Sequence, residues 1–163
     1  MHEMALDSFD HAILRALQAD AALTNAELGV LVNLSASQCS RRRQALERAG
    51  VIEGYGARIN GAALGFGLRA ITRVNLRAHS ESDDDAFAAF LRSHDQVISA
   101  HSVSGDADYV LEIYVRDLAD FAAFIHRHLL PHPQVLQVRS EIVLQTTKAA
   151  APVPLDMLQP RPR

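Results

Sequence analysis

Four arginines crowd one short stretch of this chain. Arg41, Arg42, Arg43 and Arg48 lie between Ser35 and Gly50 against a single acid, Glu47, in a protein whose formal net charge is −3. Guanidinium groups neutralise phosphates or bond guanine edges in pairs, glutamine pairs with adenine, and serine reaches either. Arginines on an ordinary solvent-facing helix normally alternate with acids, and here they do not. Two other groupings invite chemistry. His126, His128 and His132 are the nearest approach to a metal cluster, but His126 and His128 leave different sides of a helix and His132 lies between two prolines, which does not suit a ligand cage. Asp83, Asp84 and Asp85 fall in the first turn of a predicted helix, where the dipole favours acids, and are read as helix-end stabilisers. No nucleophile elbow, phosphate loop or zinc-ligand spacing occurs in the 163 residues. An enzyme is therefore not expected, nor is a metal or cofactor.

The arginine stretch needs a carrier. Ser35 with Gln38 forms a capping-box pattern, and Gly50 stands where a left-handed C-terminal cap belongs. At about 100° per residue, Ser37, Arg41, Gln44 and Arg48 fall on one polar face. Cys39, Arg43, Leu46 and Gly50 fall on the other. Arg43 is therefore the arginine expected to turn inward, snorkelling along Leu46 or pairing with Glu47. Cys39 is expected as a small core residue. The candidate DNA-contacting set is Ser35, Ser37, Gln38, Ser40, Arg41, Arg42, Gln44 and Arg48.

Two helices precede it. Leu6 to Gln18 carries Phe9, Ile13, Leu14 and Leu17 as an apolar stripe behind an Asp7 cap, with Asp10 in the first turn. Thr24 to Val32 opens on a second capping box, Thr24 with Glu27, and its expected buried face is Leu28, Leu31 and Val32. Asn33-Leu34-Ser35 is a very short link. Such spacing predicts a helix-turn-helix, against the plainer alternative of a helical hairpin packed only for stability.

The remaining chain changes grammar. An extended segment from Gly54 and a glycine-bearing connector, Asn60 to Leu68, lead to a strand at Ala70–Ala78. A Ser82-capped helix to Ser93 follows, then a strand at Val97–Val103, a turn, a strand at Tyr109–Val115, an Asp117-capped helix to about Leu130, and a long last strand from Val135 to Thr147. The order βαββαβ is the split βαβ, or ferredoxin-like, plan. Helices cover one face of such a sheet, so a second copy of the chain is the expected cover for the other. The predicted organisation is α+β: a helix-turn-helix domain at 1–53, a connecting strand or hinge at 54–69, a ferredoxin-like oligomerisation domain at 70–148, and a tail at 149–163, mobile unless docked on a neighbour.

Composition bounds the rest. With 48% hydrophobic residues the chain is globular, and its 6% aromatic content with no Trp predicts small-residue packing. One cysteine precludes an intrachain disulfide and fits a reducing compartment. No apolar run approaches the roughly 18 residues of a membrane span, and the acidic N-terminus is unlike a signal peptide, so a cytoplasmic protein is expected.

With these pieces in order, the chain resembles the Lrp/AsnC, or feast/famine, transcriptional regulators from about Leu6 to Thr147. The resemblance rests on Leu6-Asp7, Asp10 and Ile13-Leu14; on Asn25-Ala26-Glu27-Leu28; on Leu34-Ser35, Ser37, Cys39, Arg41-Arg42 and Leu46-Glu47 with Gly50-Val51-Ile52; and on Val103-Ser104-Gly105-Asp106, Asp108 and Tyr109. It implies a winged-helix-type reader of double-stranded DNA joined to an amino-acid-sensing ferredoxin-like domain, in dimers that often assemble into octamers. It places a small effector at Ser104, Gly105, Asp106, Asp108 and Tyr109. There glycine lets backbone amides approach a carboxylate, and a side-chain carboxylate can receive an ammonium group. A hairpin held by its own Asp side chains is the plainer role of this turn. The sequence departs from the family at Arg43, where a branched aliphatic residue is usual, and at Gln44 and Ala45, where further basic residues are common. The rival readings are an amino-acid-binding oligomeric module that does not read DNA, and an effector-independent DNA-organising protein.

Overall fold

Capping boxes open each of the first three helices. The computed structural model describes residues 6–77 and 81–157. Helices α1 (Ser8–Ala19), α2 (Asn25–Val32) and α3 (Ala36–Arg48) start at Asp7, Thr24 and Ser35, and each cap side chain accepts the backbone N–H three residues on, while the side chain at that position reaches back to the cap. The orphan amides of the first turns are thus satisfied locally. Helix α3 ends in a Schellman motif: Gly50 adopts φ 71°, its N–H bonds the Glu47 carbonyl at 3.0 Å, and the Val51 N–H bonds Leu46 at 2.9 Å. Helix α2 ends on Asn33 at φ 58°, a left-handed position that asparagine tolerates. Ile13, Leu14, Leu17, Leu28, Val32, Cys39 and Leu46 form the core of this unit. Two expected core residues are outside it. Leu31 is 63% exposed, because an inward arc centred on Leu28, Gly29 and Val32 turns position 31 away. Phe9 is also exposed, lying under the Arg42 guanidinium. After α3, where a wing was expected, residues 53–60 run without secondary structure and pair with none of the described strands.

The second unit runs from Ile59 to Thr147, whereas residues from Lys148 onward group with those before Ile59. Its strands are β1 (Leu68–Leu76), β2 (Val97–Ser102), β3 (Tyr109–Val115) and β4 (Val135–Ile142). They form one antiparallel sheet in the order β2-β3-β1-β4, with α4 (Glu81–Arg92) and α5 (Leu118–Phe124) between strands. This is the predicted βαββαβ arrangement. The Ala78 end of the first strand lies outside the described residues, as do the Ser82 and Asp83 side chains on which the expected cap and first-turn acid depend. Alternation sorts the faces. Ala70, Thr72 and Val74 of β1 share one face with Leu111, Ile113 and Val115 of β3, and all six are buried. Phe87 and Leu91 of α4 and Phe121 and Phe124 of α5 join that core. The buried Thr72 hydroxyl is 3.0 Å from that of Ser140, so it is not left unpaired.

Three local expectations change. The helix expected to reach Leu130 is α-helical only to Phe124, and a π-helical turn spans Ile125–Leu129, closed by the Leu130 N–H on the Ile125 carbonyl. The last strand stops at Ile142, because β1 offers no partner beyond Ala70 apart from one bond from Val143 to Arg69. The glycine connector is not a loose hinge. It forms a 3₁₀ turn at Gly61–Leu64, and Gly67 bonds Arg116 of the sheet unit. A Cβ at Gly61 would lie 2.5 Å from the Tyr114 ring, so glycine is required for that contact.

The two units are expected to fail at different acidities. His132 packs against Phe87 and Phe90, with ring centroids 5.3 and 4.5 Å away. Burial, and then the charge of His94, pushes its imidazole below the ordinary 6.5. The unfolded chain takes up that proton more readily, so the contribution of His132 is complete above 6.5 and is lost as pH falls from there through the lower folded value. In the first unit, the Asp10 N–H foremost, followed by Arg42, holds the Asp7 carboxylate below 3.8. The Thr24 N–H and hydroxyl hold Glu27 below 4.5. Those contributions persist until pH drops below these carboxylate values. Residue-resolved amide exchange should show the sheet unit loosening first on acidification and the helical unit only below about pH 4. Simultaneous loss would contradict this assignment.

Candidate nucleic-acid interface and effector cavity

The arginines of α3 divide by partner. Arg42 is committed to the protein itself: its guanidinium bonds Asp10 at 2.7 Å and Asp7 at 2.9 Å, the two acids of the α1 capping box. It therefore leaves the candidate DNA-contacting set and becomes the clamp between α1 and α3. Arg43 turns inward as its angle implied. It stacks 4.4 Å over the Tyr55 ring, donates to the Tyr55 hydroxyl at 2.7 Å and to the Leu23 carbonyl at 3.3 Å, and meets Glu47 at 3.4 Å. Tyr55 in turn donates to Glu47 at 2.8 Å. This cluster ties the exit of α3 to the loop before α2. Tyr55 was not singled out from sequence, since only the fold brings it to Arg43.

Ser35 and Gln38 are engaged in their reciprocal cap, with Ser37 3.1 Å from the Ser35 hydroxyl. Ser40 is half-buried. What remains outward is Ser37, Arg41, Gln44 and Arg48, all exposed. Arg48 spends its Nε on the Gln44 carbonyl at 3.2 Å, which stiffens the stem and leaves its terminal nitrogens without a bond among the described residues. Below this face Cys39 is fully buried, and burial pushes its thiol up, away from reactivity.

Arg42→Ala should destabilise the helical unit by about 1–3 kcal/mol, because the largely buried Asp10 loses a charged partner. The slope of log affinity against log salt for DNA should stay unchanged, since Arg42 touches no phosphate in this assignment. Thermal melting and a salt titration read the two effects separately.

The Ser104–Tyr109 turn is well tied. The Val103 N–H bonds the Asp108 carbonyl at 3.0 Å, the Asp108 N–H bonds Val74, and the Asp108 carboxylate accepts from the Leu76 N–H at 2.8 Å. Gly105 sits at φ 134°, a position that favours glycine. The five candidate effector residues do not converge. Asp108 is occupied with β1. Tyr109 lies opposite Val74 on the helix-covered face, edge-on to Phe87, and its hydroxyl bonds Asp84. Ser104 and Gly105 are exposed at the tip. Tyr109 lines a cavity of about 270 Å³ with Leu91, Arg92 and Val97, whereas Asp106 lines a separate one of about 230 Å³, shared with Arg73, Asn75, Ala107, Gln137 and Arg139. The Asn75 side chain bonds the Asp106 carbonyl at 2.7 Å and so fixes the turn beside it. In the strand register Arg73 stands directly opposite Arg139. Like charges in that relation repel, and among the described residues Arg73 has a single 3.5 Å approach from Glu141 to offset it. The cavity thus offers two cations and one acid on the sheet face free of helices. Sequence reasoning missed Arg73 and Arg139, because nothing before the register places them together.

His94, His128 and His132 pack as rings around Phe90 and Phe124. Among the described residues no three His, Cys, Asp or Glu side chains converge as a metal cage requires. Among the same residues no helix is long and apolar enough to cross a membrane.

Comparison with known proteins agrees with both halves. Residues 6–47 match the AsnC-type helix-turn-helix domain, and residues 69–153 match the Lrp/AsnC ligand binding domain. The chain is similar to the leucine-responsive regulatory protein of Rhizobium meliloti (strain 1021), at 40% identity over 91% of this chain and 95% of that protein. It is similar to the HTH-type transcriptional regulator AldR of Mycolicibacterium smegmatis, at 30% identity over 91% of this chain and 86% of that one. Among solved structures, the transcriptional regulator NMB0573 of Neisseria meningitidis in complex with L-Met superposes with a TM-score of 0.90, at 36% identity, covering 95% of this chain and all of that one. A capped helix-turn-helix with an outward arginine face, joined to a ferredoxin-like ligand-binding domain, makes this chain a member of the Lrp/AsnC family of transcriptional regulators.

Proposed function

We propose that this regulator reads DNA through Ser37, Arg41, Gln44 and Arg48 and responds to a free α-amino acid held between Arg73, Arg139 and Asp106. The observation that carries the effector reading is the cross-strand pair of cations: Arg73 faces Arg139 with the exposed Asp106 on the same cavity. An α-carboxylate between the guanidiniums relieves their repulsion, and the α-ammonium finds the acid. A relative named as leucine-responsive and a neighbour crystallised with L-Met support an amino acid as the class. The helix-free face also carries Ile71, Val110 and Tyr114 beside the Arg69–Glu112 pair, and a second copy of the chain covers it in a homodimer. A dimer presents two α3 helices to half-sites about one DNA turn apart.

Thermal shift against the twenty amino acids tests the effector. A ligand that binds only the folded form raises the melting temperature. Arg139→Ala should abolish that rise while leaving the ligand-free protein as stable as before or slightly more so, because a like-charge repulsion is relieved. A flat panel with the unaltered protein favours the effector-independent reading. An undiminished shift in the variant moves the ligand elsewhere.

A further inference from the structure

The C-terminal segment does not trail away from the sheet unit. From Lys148 the chain groups with the DNA-reading unit, not with the strands it has just left. Pro152 and Pro154 keep it extended, and a single 3₁₀ turn follows at Leu155–Met157. Leu155 is half-buried against the core built from Ile13, Leu14, Leu17 and Leu28. The side-chain amide of Gln18, exposed near the end of α1, clasps the backbone of Val153 from both sides. With the amide turned so that its nitrogen faces the Val153 carbonyl, the orientation that satisfies both groups, the NH₂ donates to that carbonyl at 3.2 Å and the oxygen accepts the Val153 N–H at 3.1 Å. A paired backbone clasp and an apolar anchor two residues on form a specific seat, because each fixes the register of the other.

The DNA-reading unit is consequently attached to the sheet unit at two points in the chain: Arg58 to Ile59, and Thr147 to Lys148. The second attachment continues from β4. That strand carries Gln137 and Arg139 into the effector cavity and pairs on one side only, with β1. Past Ile142 it is held by the Val143 N–H on Arg69 and by Arg69 on Thr146 at 3.4 Å. We propose that residues 148–157 are a regulatory strap through which the occupant of the Arg73–Arg139 cavity biases the helix-turn-helix. The ligand stabilises one position of β4, and that position determines whether Leu155 and Val153 stay seated on α1. A ligand shifts such an equilibrium only by its unequal affinity for the seated and released forms. This rests on the amino-acid reading of the cavity given above.

The test uses the full chain, with L-leucine and L-methionine as probes. DNA affinity is measured with and without each, alongside the thermal shift each produces. Gln18→Ala alters an exposed side chain and Leu155→Ala a peripheral one; a third variant ends after Thr147. In all three, the ratio of DNA affinities with and without probe should fall to near unity, while the probe still raises the melting temperature of the sheet unit. Amide exchange at Val153 should be slow in the unaltered protein and fast in Gln18→Ala. An affinity ratio that survives in the variants overturns the strap, as does a Val153 amide that exchanges at the solvent rate in the unaltered chain. If none of the twenty amino acids shifts the unaltered protein, the effector reading itself fails, and the strap's regulatory role fails with it; if another amino acid shifts it and these two do not, that one replaces them as the probe.

Discussion

Replacing Arg41 and Arg48 together with alanine is expected to lower affinity for a specific DNA site by about 2–6 kcal/mol, roughly 30-fold or more, if each supplies an ordinary base or phosphate contact. Among the described residues the two are the arginines of α3 without an ion pair or ring contact, since Arg42 and Arg43 are held by Asp7, Asp10, Glu47 and Tyr55. The salt dependence separates the kinds of interaction. For every phosphate that an arginine no longer neutralises, the slope of log affinity against log salt should become shallower by about 0.9. Lower affinity with an unchanged slope would assign the arginines to base edges instead. The double variant should melt with the unaltered protein, because both side chains are exposed and the Arg48 Nε bonds a carbonyl of its own helix. Undiminished binding would remove this face from the interface.

The second large effect lies at a residue with no side chain. A Cβ added at Gly29 would lie 2.5 Å from the Leu34 carbonyl oxygen and 3.5 Å from the Ala36 nitrogen. Both are backbone atoms of the turn, so no flexible side chain can give way. The Leu34 N–H also bonds the Gly29 carbonyl at 3.0 Å, which holds the turn against α2. Gly29→Ala must therefore push the start of α3 away from α2. Overpacking of this kind costs about 1–3 kcal/mol and more when backbone must move. For a helical unit of this size each 1 kcal/mol lowers the midpoint by about 4–8 °C. Calorimetry should show the helical unit melting markedly earlier and the sheet unit unchanged, with DNA binding weakened although no contacting side chain is altered. Equal melting of both units would mean that the turn relaxes around the methyl group.

Gly29 also shows where sequence reading stops. Its place in a helical pattern suggests only a modest penalty against alanine, and the requirement for glycine arises from a carbonyl five residues away that the turn folds back. The inward side of α3 was legible because Cys39, Arg43 and Leu46 repeat at helical spacing. Arg43 was correctly assigned to that side, yet its stacking partner Tyr55 could not be named. Arg42 was read as a DNA contact because its angle flanks the polar face, and its capture by acids 32 and 35 positions earlier has no local signature. The turn expected to hold an effector was singled out by its residue types, and its residues face opposite sides of the sheet. Strand alternation assigns Tyr109 to the helix-covered face, while Asp106 stays with the open one.

By itself the sequence determined the three capped helices, the left-handed stop at Gly50, the βαββαβ order and the outward arginine face. These depend on interactions three or four residues apart, or on a two-residue alternation, which a linear reading contains in full. Tertiary structure alone decided which arginines are free, that Arg73 confronts Arg139, and that the proline-rich tail returns to Gln18. Those outcomes depend on sheet register and helix packing. Both are set by the joint burial of residues far apart in the chain, and so have no counterpart in any local pattern.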